Sequence, residues 1–142
     1  MAVQGAALLV GGAFLVVGVL GFVPGVTTAY DELAVAGHHS GAKLFGIFTV
    51  SWLHNAVHLL FGVVGLVMAR SYMWSRRYFL VGGLVYLGLW AYGLAIDHGT
   101  PANAVPVNSA DNWLHLGLGA VMMLLGVTLA GRHDPTKRRR RT

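Results

Sequence analysis

The chain contains no cysteine. Disulfides, thiol nucleophiles and thiolate metal ligands are therefore excluded. Charge is also scarce: 11% of the 142 residues are charged, roughly half the share found in a soluble domain. No P-loop, dinucleotide fingerprint or nucleophile elbow is spelled in the sequence, which removes the common phosphate-binding and hydrolase chemistries. Neither Asn103 nor Asn108 is followed by the residues of a glycosylation acceptor.

What is present is apolar. Hydrophobic residues make up 56% of the chain, and the mean hydropathy is +0.64. Four runs stand out, about Val3–Val23, Leu44–Ala69, Tyr78–Ile96 and Trp113–Gly131. Each approaches the roughly 20 residues that cross a bilayer as a helix. They lack the alternation of barrel strands and are too long for them. A backbone in lipid must pair within its own segment, which again selects helix. The runs leave no room for a soluble catalytic domain. The expected fold is all-α, an integral membrane four-helix bundle over residues 1–131 with a basic tail over 132–142.

The charges suggest an orientation. Arg132, Lys137, Arg138, Arg139, Arg140 and Arg141 crowd the tail, and Arg70, Arg76 and Arg77 sit between the second and third runs. Asp31, Glu32, Asp97 and Asp111 lie in or beside the other two loops. By the positive-inside rule both termini are expected in the cytoplasm of a multi-pass cell-membrane protein. A basic tail of this kind is expected to meet anionic lipid headgroups rather than nucleic acid, at roughly 1 kcal/mol per basic residue. Ala34-Val35-Ala36 resembles a signal-peptidase site, but it lies beyond Asp31 and Glu32 and no basic residue precedes the first run. The first run is therefore expected to remain as a span.

A repeat is embedded in these runs. Trp52-Leu53-His54 and Trp113-Leu114-His115 are each followed by a matching glycine (Gly65, Gly126) and alanine (Ala69, Ala130). On a wheel of about 100° per residue, Ile47, Ser51, His54, Asn55, His58, Gly62, Gly65 and Ala69 share one stripe of the second run. Asp111, Asn112, His115, Gly119, Met122, Gly126 and Ala130 share one in the fourth. Small and polar stripes face a bundle interior. The expectation is two helix hairpins related by a pseudo-twofold axis along the membrane normal, through duplication or through shared physical constraint. His54 and His115 lie 16 and 17 residues outward of Arg70 and Arg132. At about 1.5 Å per residue this is about 24–26 Å, which places both near the outer boundary. Trp52, Trp90, Tyr92 and Trp113 are expected in the aromatic belt there.

Histidine within a span marks a candidate site. His54-Asn55-Ala56-Val57-His58 has the spacing of the zinc-protease helix, but Asn55 stands where the general base belongs. An amide cannot take a proton from metal-bound water, so protease chemistry fails. The metal-binding half survives: His54 and His58, with His115 or Asp111, can ligate zinc or copper. His54 or His58 can instead pair with His115 across a haem b, with Gly62, Gly65, Gly119 and Gly126 leaving room beside the macrocycle. Relay of protons through these histidines and Asp97 or Asp111 is a third active reading. Against these stands a bland one, in which His54, Asn55, His58, Asp111, Asn112 and His115 hydrogen-bond across helices and fix their register.

Three stretches resemble a known family. They are Phe14-Leu15-Val16-Val17-Gly18 with Gly21-Phe22-Val23-Pro24-Gly25-Val26-Thr27, Leu44-Phe45-Gly46-Ile47-Phe48 with His54-Asn55-Ala56-Val57-His58-Leu59-Leu60-Phe61-Gly62, and Asn108-Ser109-Ala110-Asp111-Asn112-Trp113-Leu114-His115. Together they resemble a bacterial membrane-protein family known as domain of unknown function DUF4383. The resemblance implies four transmembrane helices and carries no assigned activity or functional residues. The sequence thus leads to a small integral membrane protein of unassigned biochemical role, with a non-enzymatic one as the first expectation. Its polar cluster is expected to be structural or to contact a partner, a second copy or a membrane complex. A metal or haem site at His54, His58 and His115 is the alternative.

Overall fold

A computed structural model describes residues 1–129. Four helices carry the fold: α1 (Ala2–Leu20), α2 (Trp52–Met68), α3 (Tyr72–Ala95) and α4 (Ser109–Thr128). Three short strands, β1 (Thr27–Thr28), β2 (Lys43–Leu44) and β3 (Phe48–Thr49), form an antiparallel sheet in the loop between α1 and α2. The chain is therefore an all-α bundle with a small crown of loops at one end. The basic tail, Arg132 and Ala130 lie outside the described residues.

The helices are apolar on the outside. Leu9, Val16, Leu60, Val67, Val81, Leu84, Leu94, Val121, Leu124 and Val127 are all exposed. The interior holds Phe14, Phe61, Tyr78, Phe79, Tyr86 and Met122 instead. Such an arrangement suits lipid as the surrounding solvent. By length and composition α1, α3 and α4 can each cross a membrane.

The second run departs from expectation. Its helix starts at Trp52, not near Leu44, and is 17 residues long. Leu44–Val50 instead forms the β2–β3 hairpin and the chain leading out of it. Phe45 and Gly46 adopt left-handed backbone angles, φ 54 and 71, which no α-helix continues through. Ser51 then starts the helix, its hydroxyl accepting from His54 N–H at 3.1 Å. The N–H groups of Trp52 and Leu53 donate to Ala34 and Val35 carbonyls in the crown. The donors orphaned at a helix start are thus satisfied by the loop that precedes it. Ile47, expected on the helical stripe, is an exposed hairpin residue. The fourth helix starts earlier than expected, at Ser109, so Asp111 lies inside its first turn.

The helices pack chiefly as α1 on α2 and α3 on α4, which makes two hairpins. The first closes backbone on backbone: a Cβ at Gly11 would lie 3.0 Å from both Gly62 O and Leu66 N. A side chain there would push the two backbones apart, so glycine allows the close crossing. Gln4 Nε2 donates to Ala69 O at 3.0 Å, tying the start of α1 to the end of α2. At the turn into α3, Ser75 Oγ donates to Ser71 O at 2.8 Å.

The crown has a core of its own, Ala42, Leu44 and Val50 with Val17, Leu20, Val26, Leu33 and Phe48 against them. Gly37 N–H donates to Ala104 O at 2.8 Å, so the α1–α2 and α3–α4 loops form one unit. Asn103 closes the second loop, its amide donating to His98 O and Val107 O and accepting from Val107 N–H.

Candidate functional site

The polar cluster lies where the crown meets the helix ends. Asn108 and Asp111 begin α4 with a reciprocal pair of bonds: Asp111 N–H donates to Asn108 Oδ1 at 2.9 Å, and Asn108 N–H donates to Asp111 Oδ2 at 2.8 Å. This capping box satisfies two donors at the helix start. The same carboxylate oxygen also accepts from Thr49 N–H of β3 at 3.1 Å. Asn108 Nδ2 reaches the hairpin as well, donating to Ile47 O at 2.8 Å and Thr49 Oγ1 at 3.0 Å. His54 Nδ1 lies 3.1 Å from Thr49 O. A carbonyl only accepts, so this ring nitrogen carries the proton. Three side chains from two helices therefore converge on one short strand.

The structure brings the three candidate histidines together. The ring centroids of His54 and His58 are 4.6 Å apart, and those of His54 and His115 are 6.4 Å apart. All three are buried. In each Trp-Leu-His copy the histidine faces inward and the tryptophan is exposed, because two residues along a helix turn about 200°. The copies sit differently in their helices, however: Trp52 opens α2, while Trp113 follows Asn112 a turn into α4.

The histidines are not engaged with the polar residues that the sequence suggested. Nδ1 of His58, Nδ1 of His115, Oδ1 of Asn112 and both amide atoms of Asn55 are buried without a hydrogen-bond partner among the described residues. Asn55 packs its amide directly against Gly21, and Asn112 packs against Gly93 in the same way. Asp97 lies apart from the cluster, bonding within its own loop to Gly99 N–H at 2.9 Å. Aromatic rings close the inner side: Phe14 is 5.7 Å from His58 and Tyr86 is 5.5 Å from His115, centroid to centroid.

His54, His58, Asp111 and His115 share a cavity of about 170 Å³ with Val17, Leu44, Phe45, Phe48, Val50 and Leu114. Among the described residues no group of three or more His, Asp or Glu side chains is arranged to hold a metal ion. His54 uses one ring nitrogen on Thr49, and Asp111 Oδ2 already accepts two N–H groups. The room expected beside a haem is absent at the four glycines. Cβ atoms at Gly62, Gly65, Gly119 and Gly126 would lie 2.9 Å or less from Leu15, Tyr78, Leu87 and Leu80 respectively. These glycines serve close helix packing.

Sequence reasoning missed Thr49 and Asn108. Asn108-Ser109-Ala110-Asp111 carried a readable signal, an N-cap residue followed three positions later by an acid. Thr49 carried none, since its partner Asp111 is 62 residues away.

A bundle that is lipid-suited outside, with three helices long and apolar enough to span, defines a helical membrane protein. A family model described as domain of unknown function DUF4383 matches residues 4–128, and the chain belongs to that family. Comparison with curated proteins and with solved structures finds no match.

Proposed function

We propose that this protein is a non-enzymatic, four-span membrane protein that holds a rigid crown at the outer face of the cell membrane for contact with a partner. The observation that carries this reading is the convergence of Asp111, Asn108 and His54 on Thr49 and Ile47 of the hairpin. The polar cluster fixes the crown to α2 and α4. Exposed Val35 and Ile47 give the crown an apolar contact surface.

The proposed orientation puts both termini in the cytoplasm. Arg70, Arg76 and Arg77 at the α2–α3 turn support it, together with Asp31, Glu32 and Asp97 in the crown. As a fourth span, α2 is about 26 Å long at about 1.5 Å per residue, near the lower limit for crossing. The absence of cysteine provides a clean test. In intact cells a membrane-impermeant maleimide should label Val35→Cys in the crown and spare Met73→Cys at the opposite end. The reverse pattern would overturn the orientation.

A transition-metal or haem site at His54, His58 and His115 is supported by their proximity around one cavity. Its test is separate. An optical spectrum and elemental analysis of the purified full chain should show neither a Soret band nor a stoichiometric metal if the crown reading is right.

A further inference from the structure

The two hairpins match contact for contact, in a register that the Trp-Leu-His copies do not show. Pairing Asn55 with Asn112 sets α2 57 residues from α4, and pairing Gly21 with Gly93 sets α1 72 residues from α3. Under these spacings the joints coincide. The Asn55 amide rests on Gly21, and the Asn112 amide rests on Gly93. His58 packs on Phe14, 5.7 Å between ring centroids, and His115 packs on Tyr86 at 5.5 Å. A Cβ at Gly62 would meet Leu15, and one at Gly119 would meet Leu87. A Cβ at Gly11 would lie 3.0 Å from Leu66 N, and one at Gly83 would lie 3.0 Å from Met123 N. All the buried residues of α2 fall on buried residues of α4. The Trp-Leu-His spelling is four residues out of step. It would set Asn55 on Leu116 and Gly62 on Met123, which are only half-buried. Small residues are common wherever helices cross, but composition does not repeat whole joints at two fixed spacings.

The helix starts obey the same spacing. Ser51 caps α2 by accepting from His54 N–H, and Asn108 caps α4 by accepting from Asp111 N–H. His54 and Asp111 are therefore equivalent positions with different side chains, and both reach one residue. His54 Nδ1–H donates to Thr49 O at 3.1 Å, and Asp111 Oδ2 accepts from Thr49 N–H at 3.1 Å. Thr49 lies on β3, the edge strand of the sheet, where the N–H and C=O of one residue point the same way. We propose that the hairpins are copies of one unit, and that the position where they diverge, His54 in one and Asp111 in the other, is a clamp that fixes the direction in which β3 crosses between them. A peptide has polarity, so two identical carboxylates would set an acceptor against the Thr49 carbonyl. A donor on one copy and an acceptor on the other match both groups.

The clamp requires a donor at one position and an acceptor at the other, not histidine and aspartate as such. Asparagine carries both on atoms one bond beyond Cγ, where His Nδ1 and Asp Oδ2 also lie. His54→Asn with Asp111→Asn makes the equivalent positions identical and should keep Thr49 clamped. His54→Leu with Asp111→Leu also makes them identical, in nearly the shape of asparagine, but offers neither group and should release it.

The test is hydrogen exchange at the Thr49 amide, with the full chain in lipid nanodiscs. Protection should fall by about tenfold or less in the double asparagine variant, the difference between a charged and a neutral acceptor. It should fall by about a hundredfold or more in the double leucine variant. The new side-chain amide at position 54 should itself exchange slowly, held by Thr49 O. Thr49 released equally by both double variants, or by neither, would overturn the clamp. The equivalence of the hairpins is read by thermal unfolding. Gly21→Ala and Gly93→Ala should each lower the midpoint. Asn55→Ala should restore the first and Asn112→Ala the second, with no rescue in the crossed pairs. Failure of either rescue, or rescue by the wrong asparagine, would overturn the register. None of these outcomes bears on whether the crown meets a partner.

Discussion

Asp111 at the start of α4 and Asn55 in the first turn of α2 are both buried polar side chains at the same end of the bundle, 1% and 0% exposed. They do opposite things. Asp111 joins two regions, accepting from its own helix cap and from the β3 strand. Neither amide atom of Asn55 has a hydrogen-bond partner among the described residues; the amide fills the space over Gly21. The difference follows from how each helix begins. The first N–H groups of α2 are already satisfied by Ser51 and by the Ala34 and Val35 carbonyls, so Asn55 has no cap to complete. The first turn of α4 depends on Asn108 and Asp111. Burial of a polar residue thus does not show that it holds a structure together; its partners do.

This contrast can be broken by substitution. The largest effect is expected from Asp111→Ala. It removes a capping box and leaves the Thr49 and Asn108 N–H groups without their acceptor, at about 3 kcal/mol in total. Thermal unfolding of the detergent-solubilised chain should show a clear fall in midpoint. Next comes Gly11→Ala, whose methyl group would press on backbone atoms of Gly62 and Leu66 that cannot turn aside. An overpacking cost of about 1–3 kcal/mol is expected. Gly12→Ala, with nothing within 4 Å of the added atom, should be neutral or slightly stabilising in the same assay. His54→Phe removes the single bond to Thr49 O and should cost about 1 kcal/mol. Asn55→Ala should be the smallest of the polar substitutions, within about 1 kcal/mol of the wild type in either direction, because no hydrogen bond is lost. Should Asn55→Ala prove as damaging as Asp111→Ala, the comparison fails.

The bundle was legible in the sequence because four apolar runs and a polar stripe leave little choice of architecture. The inward stripe of α2 was legible too: His54, Asn55, His58, Gly62 and Gly65 are all buried. The hairpin was not. Leu44, Ile47, Phe48 and Val50 are as apolar as the helix that follows, so hydropathy merged them into one run. Gly46 and Ser51 were the local signs of a break, as turn residue and helix cap. Phe45 gave no sign, since its left-handed conformation is unusual for its side chain. The repeat was half informative. It placed His54 and His115 at neighbouring levels, but α4 begins about a turn before its Trp-Leu-His and α2 begins on it. Position 58 carries histidine, whereas the matching position of the second copy is Gly119, packed on Leu87. The two hairpins share an outline and differ in the residues that determine the site.

Asp111 is proposed to hold the crown to the bundle through Thr49. Hydrogen exchange at single amides tests it most directly, comparing the wild type with Asp111→Ala in the same nanodiscs. Slow exchange is expected at Thr49 and Asn108 in the wild type and rapid exchange at both in the variant, with the amides in the middle of α1 and α3 unchanged. Fast exchange at Thr49 in the wild type, or protection that survives loss of the carboxylate, would contradict it.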